Sequence, residues 1–182
     1  GGSGTNRIFY INGATVTIKG VTLQNGNSTG SSPSRWGGAI MQNNGGSLWL
    51  DAVLLQNNSS TSGGGAVILF NGANHRITNS TFKNNNAEGN GGAINIAGSL
   101  FMANTTISGN RSNGFGGGIA IGAGTTTIRN STITLNRFVF NQNAMGGGIF
   151  FENSTLNLGN TIVAGNTVPA PITFRRPDIA IG

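Results

Sequence analysis

Gly37-Gly38-Ala39-Ile40 decides how this chain is read, because four later stretches repeat it. They are Gly64-Gly65-Ala66-Val67, Gly91-Gly92-Ala93-Ile94, Gly116-Gly117-Gly118-Ile119 and Gly146-Gly147-Gly148-Ile149. The closing apolar residues stand 27, 27, 25 and 30 positions apart. Units recurring every 20 to 50 residues or so mark stacked repeats, in which no single unit can bury its own apolar face.

Laying the repeats under one another gives three apolar ladders. Ladder A is Phe9, Ile40, Val67, Ile94, Ile119, Ile149 and Ile179; ladder B is Ile18, Leu50, Ile77, Met102, Ile128 and Leu158. Ladder C is Leu23, Leu55, Phe82, Ile107, Ile133 and Val163. Each lies in a short alternating stretch such as Ser47-Leu48-Trp49-Leu50, which is strand chemistry. The step from B to C is five residues in every repeat, so it must be a fixed bend. At its midpoint stand Gly20, Ala52, Asn79, Asn104, Asn130 and Asn160. Glycine and asparagine tolerate a left-handed backbone, and stacked asparagine amides can bond along the column. A second polar column, Asn58, Asn85, Asn110, Asn136 and Asn166, closes strand C.

Interior glycines cost a helix roughly 0.8–1 kcal/mol each relative to alanine, and no stripe at helical spacing survives them. The ladders therefore predict an all-β fold: a right-handed parallel β-helix of about six three-strand coils, with neighbouring coils about 4.7–4.9 Å apart. Residues 1–182 read as one such domain, expected to be a segment of a longer chain.

Composition agrees. Of 182 residues 32 are glycine and only 8% are charged, yet 36% are hydrophobic, too many for a disordered glycine-rich linker. Ten Lys and Arg against four Asp and Glu give a net charge of +6, scattered with no basic run. No recognition helix or stacking motif accompanies that charge, so no nucleic-acid partner is expected. The chain has no cysteine, which excludes disulfides and thiolate chemistry. No apolar run reaches the length of a membrane-spanning helix.

Gly-Gly-Ala-Ile alternating with blocks such as Phe82-Lys83-Asn84-Asn85 resembles the polymorphic outer-membrane protein repeats of bacterial surface proteins. Asn130 to Ile133, Asn160-Thr161-Ile162-Val163-Ala164-Gly165-Asn166, the closing Pro177-Asp178-Ile179 and the opening Gly4-Thr5-Asn6-Arg7-Ile8-Phe9 are closer still to large bacterial parallel β-helix proteins of the choice-of-anchor Q type. The resemblance covers nearly the whole chain. It implies a secreted or cell-surface protein of bacteria, non-enzymatic, serving adhesion or structure. The fold itself also hosts lyases, hydrolases and ice binders.

An enzyme of this shape, a polysaccharide lyase or glycoside hydrolase, would work in a groove over strand A and needs clustered carboxylates. The sequence offers Asp51, Glu88, Glu152 and Asp178, which do not fall in register. Ala39, Ala66, Ala93, Gly118 and Gly148 beside ladder A are expected to form a smooth wall there. No catalytic residue, metal or cofactor is assigned. His75, the single histidine, reads as a turn residue in water. An ice-binding face would want a regular threonine column; Thr22, Leu54, Thr81, Thr106, Thr132 and Ile162 comply at four positions of six.

The links from C back to A vary in length, and variable loops on a rigid scaffold are the usual place for function. They carry Arg35, Trp36, Phe115, Arg137, Phe138 and Phe140, the candidate contacts to a cell-surface glycan or another surface protein. The competing expectation is that these aromatics fold inward and pin their own loops. Open strand edges at the terminal coils would also allow copies to stack end to end into a fibre.

Overall fold

A computed structural model describes residues 6–32, 34–72, 74–139, 145–169 and 177–182. Every strand pair within its sheets is parallel. No helix occurs among the described residues. One coil shows the pattern. Ile40–Asn43 gives strand A, Leu48–Asp51 strand B and Leu54–Gln56 strand C, and the chain then passes to the same positions one coil further on.

All three predicted ladders hold in register. Ile40 pairs with Phe9 and Val67, Ile94 with Val67 and Ile119, and Ile149 with Ile119 and Ile179. Ladder B runs unbroken from Ile18 to Leu158, and ladder C from Leu23 to Val163. Their middle members are fully buried and form one continuous core down the axis. The six bend residues all take the left-handed backbone, with φ between 48° and 63°. Asn104 Nδ2 donates to Asn79 Oδ1 at 3.1 Å, and Asn79 Nδ2 to Asp51 Oδ1 at 2.8 Å.

Two features go beyond the three-strand expectation. Each of the first five coils has a fourth, two-residue strand, as at Ser59–Ser60 and Asn86–Ala87, and these pair into a sheet of their own. In the fifth coil strands A and B fuse into Ile119–Arg129, around a register shift opposite Ile96 and Ala97.

The glycine pairs now have separate reasons. The first of each pair has positive φ, +60° at Gly37 and +70° at Gly91, which a side chain would strain. The second lies against the next coil: a Cβ on Gly92 would collide with the Gly117 carbonyl oxygen and sit 2.6 Å from the Arg111 carbonyl carbon. Only a residue without a side chain lets the coils approach that closely.

The second polar column proves to be internal. Asn58, Asn85, Asn110, Asn136 and Asn166 are all buried. From Asn85 onward each side-chain oxygen accepts from the backbone N–H and the side-chain amide of the asparagine one coil earlier, as Asn110 Oδ1 does from Asn85 N and Nδ2, both at 2.9 Å. Gly26 N begins the chain of bonds on Asn58 Oδ1, and Asp178 Oδ1 ends it, accepting from Asn166 Nδ2 at 2.9 Å. Two of the residues beside ladder A, Gly118 and Gly148, make room for this column. Ala39, Ala66 and Ala93 are fully buried, and Gly118 and Gly148 are buried too, so they are packing residues and form no exposed wall. A Cβ on Gly118 would lie 3.1 Å from the Asn136 amide carbon.

Candidate binding face

The outer side of strand A is largely covered among the described residues. Of its outward residues, Met41, Ile68, Ala120 and Phe150 are buried by 97% or more, while Asn95 is half-buried and Tyr10, in the first coil, is exposed. The C-to-A links fold over the buried ones: a Cβ on Gly37 would lie 3.1 Å from Ile68 Cγ2, and the Phe115 ring stacks on Phe150 with centroids 4.6 Å apart. The acidic residues are dispersed. Asp51 lies on strand B, Glu88 and Glu152 are exposed beside other strands, and Asp178 caps the asparagine column. No group of three or more histidine or acidic residues is placed to hold a metal among the described residues.

The predicted contact residues fall into two groups. Trp36 is half-buried, donating from Nε1 to Ser62 Oγ at 2.7 Å and meeting Phe70 edge-on at 5.3 Å. Arg35 is exposed, its guanidinium 5.6 Å from the Trp36 ring. In the other group Phe138 is 3% exposed and stacks with Phe115 at 6.5 Å. Phe138 occupies the position held by Ser60, Ala87 and Ser112 in earlier coils, so its ring is turned inward against Phe115 and is unavailable to a partner. Arg137 is exposed, and Phe140 lies outside the described residues.

His75 is a correction. It stands two residues before Ile77, and alternation turns both inward; it is 1% exposed, in register with Leu100. Its Nδ1 accepts from Leu48 N at 3.1 Å, which leaves the proton on Nε2. Burial pushes the imidazole down to about 4. The unfolded chain then takes up its proton near pH 6.5, before the folded chain does, so stability falls as pH drops from about 6.5 towards 4. Denaturant titrations should show a loss of roughly 2–3 kcal/mol at pH 4.5 relative to pH 7.5. In His75→Leu, whose new side chain matches its neighbours Leu48 and Leu100, most of that slope should vanish; an unchanged slope would locate the titrating group elsewhere.

The outer side of strand B holds a second arrangement, outside the three apolar ladders. Thr17, Trp49, Arg76, Phe101 and Thr127 share one outward column. The indole of Trp49 is 44% exposed yet fixed, since Nε1 donates to the Asn74 carbonyl at 3.0 Å. The Arg76 guanidinium lies over the Phe101 ring at 4.8 Å, within the range of cation–π attraction. Shallow concavities flank this ridge, one reaching Asn74, Ser99 and Thr125, the other Thr78, Asn79 and Asn104. The signal in the sequence was register: each member precedes its ladder B residue by one position.

The family model described as right handed beta helix region matches residues 6–171. The chain belongs to the right-handed β-helix family. No curated protein and no solved structure matches it. The match gives the coil its hand and agrees with the parallel sheets and the short B-to-C bend. Within this β-helix, strand B presents an exposed Trp49 and a half-buried Phe101, while most of the outer side of strand A beyond the first coil is covered.

Proposed function

We propose that this β-helix is a non-enzymatic rod of the bacterial cell surface or exterior, serving adhesion by displaying a binding face. The observation that carries the reading is the Trp49–Arg76–Phe101 row. Flat side chains fixed in register on a continuous sheet lose little freedom on binding, which favours stacking against a sugar or a partner's side chains. The likeness to polymorphic outer-membrane protein repeats and to choice-of-anchor Q proteins supports the surface setting.

The test is a glycan array probed with the intact protein and with Trp49→Ala/Phe101→Ala. Both substitutions fall on the outer side of the sheet, so circular dichroism and melting should change little. Aromatic pairs add about 0.5–1.5 kcal/mol each beyond area burial, so the double variant is expected to bind at least roughly tenfold more weakly. Equal binding by the two proteins would discard the face. Turnover of a polysaccharide, seen as new reducing or unsaturated ends, would replace the reading with an enzymatic one.

A further inference from the structure

Charge on the strand B face is unbalanced in one direction. Beside the aromatic column runs a second outward column, Lys19, Asp51, Thr78, Ala103 and Arg129. Its single carboxylate is already occupied. Asp51 Oδ1 accepts from Asn79 Nδ2 and Thr78 Oγ1, both at 2.8 Å, and Oδ2 lies 3.7 Å from Lys19 Nζ. Those hydrogen bonds, Asn79's first, hold the Asp51 carboxyl below the usual carboxylate range, so it remains an anion that the protein itself satisfies. Arg76 and Arg129 pair with no carboxylate among the described residues. Arg76 is exposed, with its guanidinium carbon 4.8 Å from the Phe101 ring centroid.

We propose that this face binds an acidic polysaccharide laid along the rod axis, with sugar rings against Trp49 and Phe101 and a carboxylate in the fork of Arg76. The proposal rests on the adhesive reading above and names its ligand class. Trp49, Arg76 and Phe101 occupy three successive coils, so the two rings stand about 9–10 Å apart on the inter-strand spacing. Two apolar platforms with a cation between them match a chain of rings that carries charge on its substituents. A guanidinium pairs with a carboxylate through two parallel hydrogen bonds, which sets orientation as well as affinity. Asn74, Ser99, Thr78 and Asn79 beside the ridge supply donors and acceptors for hydroxyl groups. A single-stranded nucleic acid would also stack on the rings, but it brings one phosphate per unit and asks for a continuous basic track. Here the cations stand on alternate coils, and Lys19 already faces Asp51.

The test compares three probes by calorimetric titration of the whole chain: a uronic-acid oligomer, the same oligomer with its carboxyls reduced to alcohols, and a single-stranded oligonucleotide. The acidic oligomer is expected to bind roughly ten- to a hundredfold more tightly than its reduced form, the range for hydrogen bonds to charged groups. Its affinity should fall as salt rises. Arg76→Gln should bring the acidic oligomer down to the level of the reduced one and leave the reduced one unchanged. Equal affinity for both oligomers would overturn the acidic ligand while the adhesive reading stands. Binding of neither, with the glycan array also blank, would remove both. Tighter binding of the oligonucleotide would overturn the proposal in favour of a nucleic acid. The ligand comparison decides on the unmodified protein even if Arg76→Gln folds poorly.

Discussion

Replacing Asn110 with leucine is expected to lower the stability of the rod by roughly 3–9 kcal/mol, from three buried groups left unpaired at about 1–3 kcal/mol each. Leucine has the branching of asparagine and is the bulkier of the two, so none of the loss would come from a cavity. The Asn85 backbone N–H and one proton of its side-chain amide lose their acceptor; the other proton keeps Leu55 O at 3.1 Å. The Phe82 carbonyl loses a donor at 3.1 Å, and Asn136 Oδ1 loses the side-chain donor at 2.8 Å. All of this happens at a fully buried position, where water cannot substitute. In a solenoid each coil is held mainly by its neighbours, so a central break should also uncouple the two halves. Urea titration would show it as a lower midpoint with a broadened or split transition. A midpoint within about 1 kcal/mol of wild type would mean that the column adds little beyond its packing.

Gly92→Ala is expected to cost at least about 3 kcal/mol, the upper end of ordinary overpacking. The added methyl meets backbone on the adjacent coil, the Gly117 carbonyl and the Arg111 carbonyl carbon, and neither can rotate away. Relief requires the coils to part, which lengthens the inter-coil hydrogen bonds, including Gly92 N to Gly116 O at 3.1 Å. Gly122→Ala is the matched control. Its nearest neighbour is the Ile96 carbonyl oxygen at 3.8 Å, an ordinary contact, and Gly122 does not need positive φ. There the change should be neutral or a gain of about 0.4–1 kcal/mol, because alanine restricts the unfolded chain. Melting curves of the two variants measured together would separate close approach from the general cost of losing glycine. Similar curves would refute the close-approach account of the second glycine.

Features that recur as the same kind of side chain were legible before any coordinates. Ile40, Val67 and Ile94 announce a common interior because each coil must present the same apolar group at the same place. Asn79, Asn104 and Asn130 announce a bend because few residues accept that backbone. Legibility ended where one column mixes unlike side chains. Trp49, Arg76 and Phe101 share a register without sharing a chemistry, so a search for likeness passes over them. His75 followed the same logic: beside Asn74 it reads as a turn, while its spacing from Ile77 places it inside. The fourth strands are two residues long, too short for any alternation to show. The burial of Asn58, Asn85 and Asn110 was also hidden, since asparagine ends strands in water far more often than it lines a core.

The side-chain to side-chain bonds along that column share one direction. From Asn58 to Asn166 each amide donates one proton to the oxygen of the following coil, while its second proton turns back to a carbonyl of the preceding one. Aligned amide dipoles of this kind add, as they do along a helix. The rod therefore has a built-in electrical direction, positive towards its last coils, and the carboxylate of Asp178 stands where that positive end emerges.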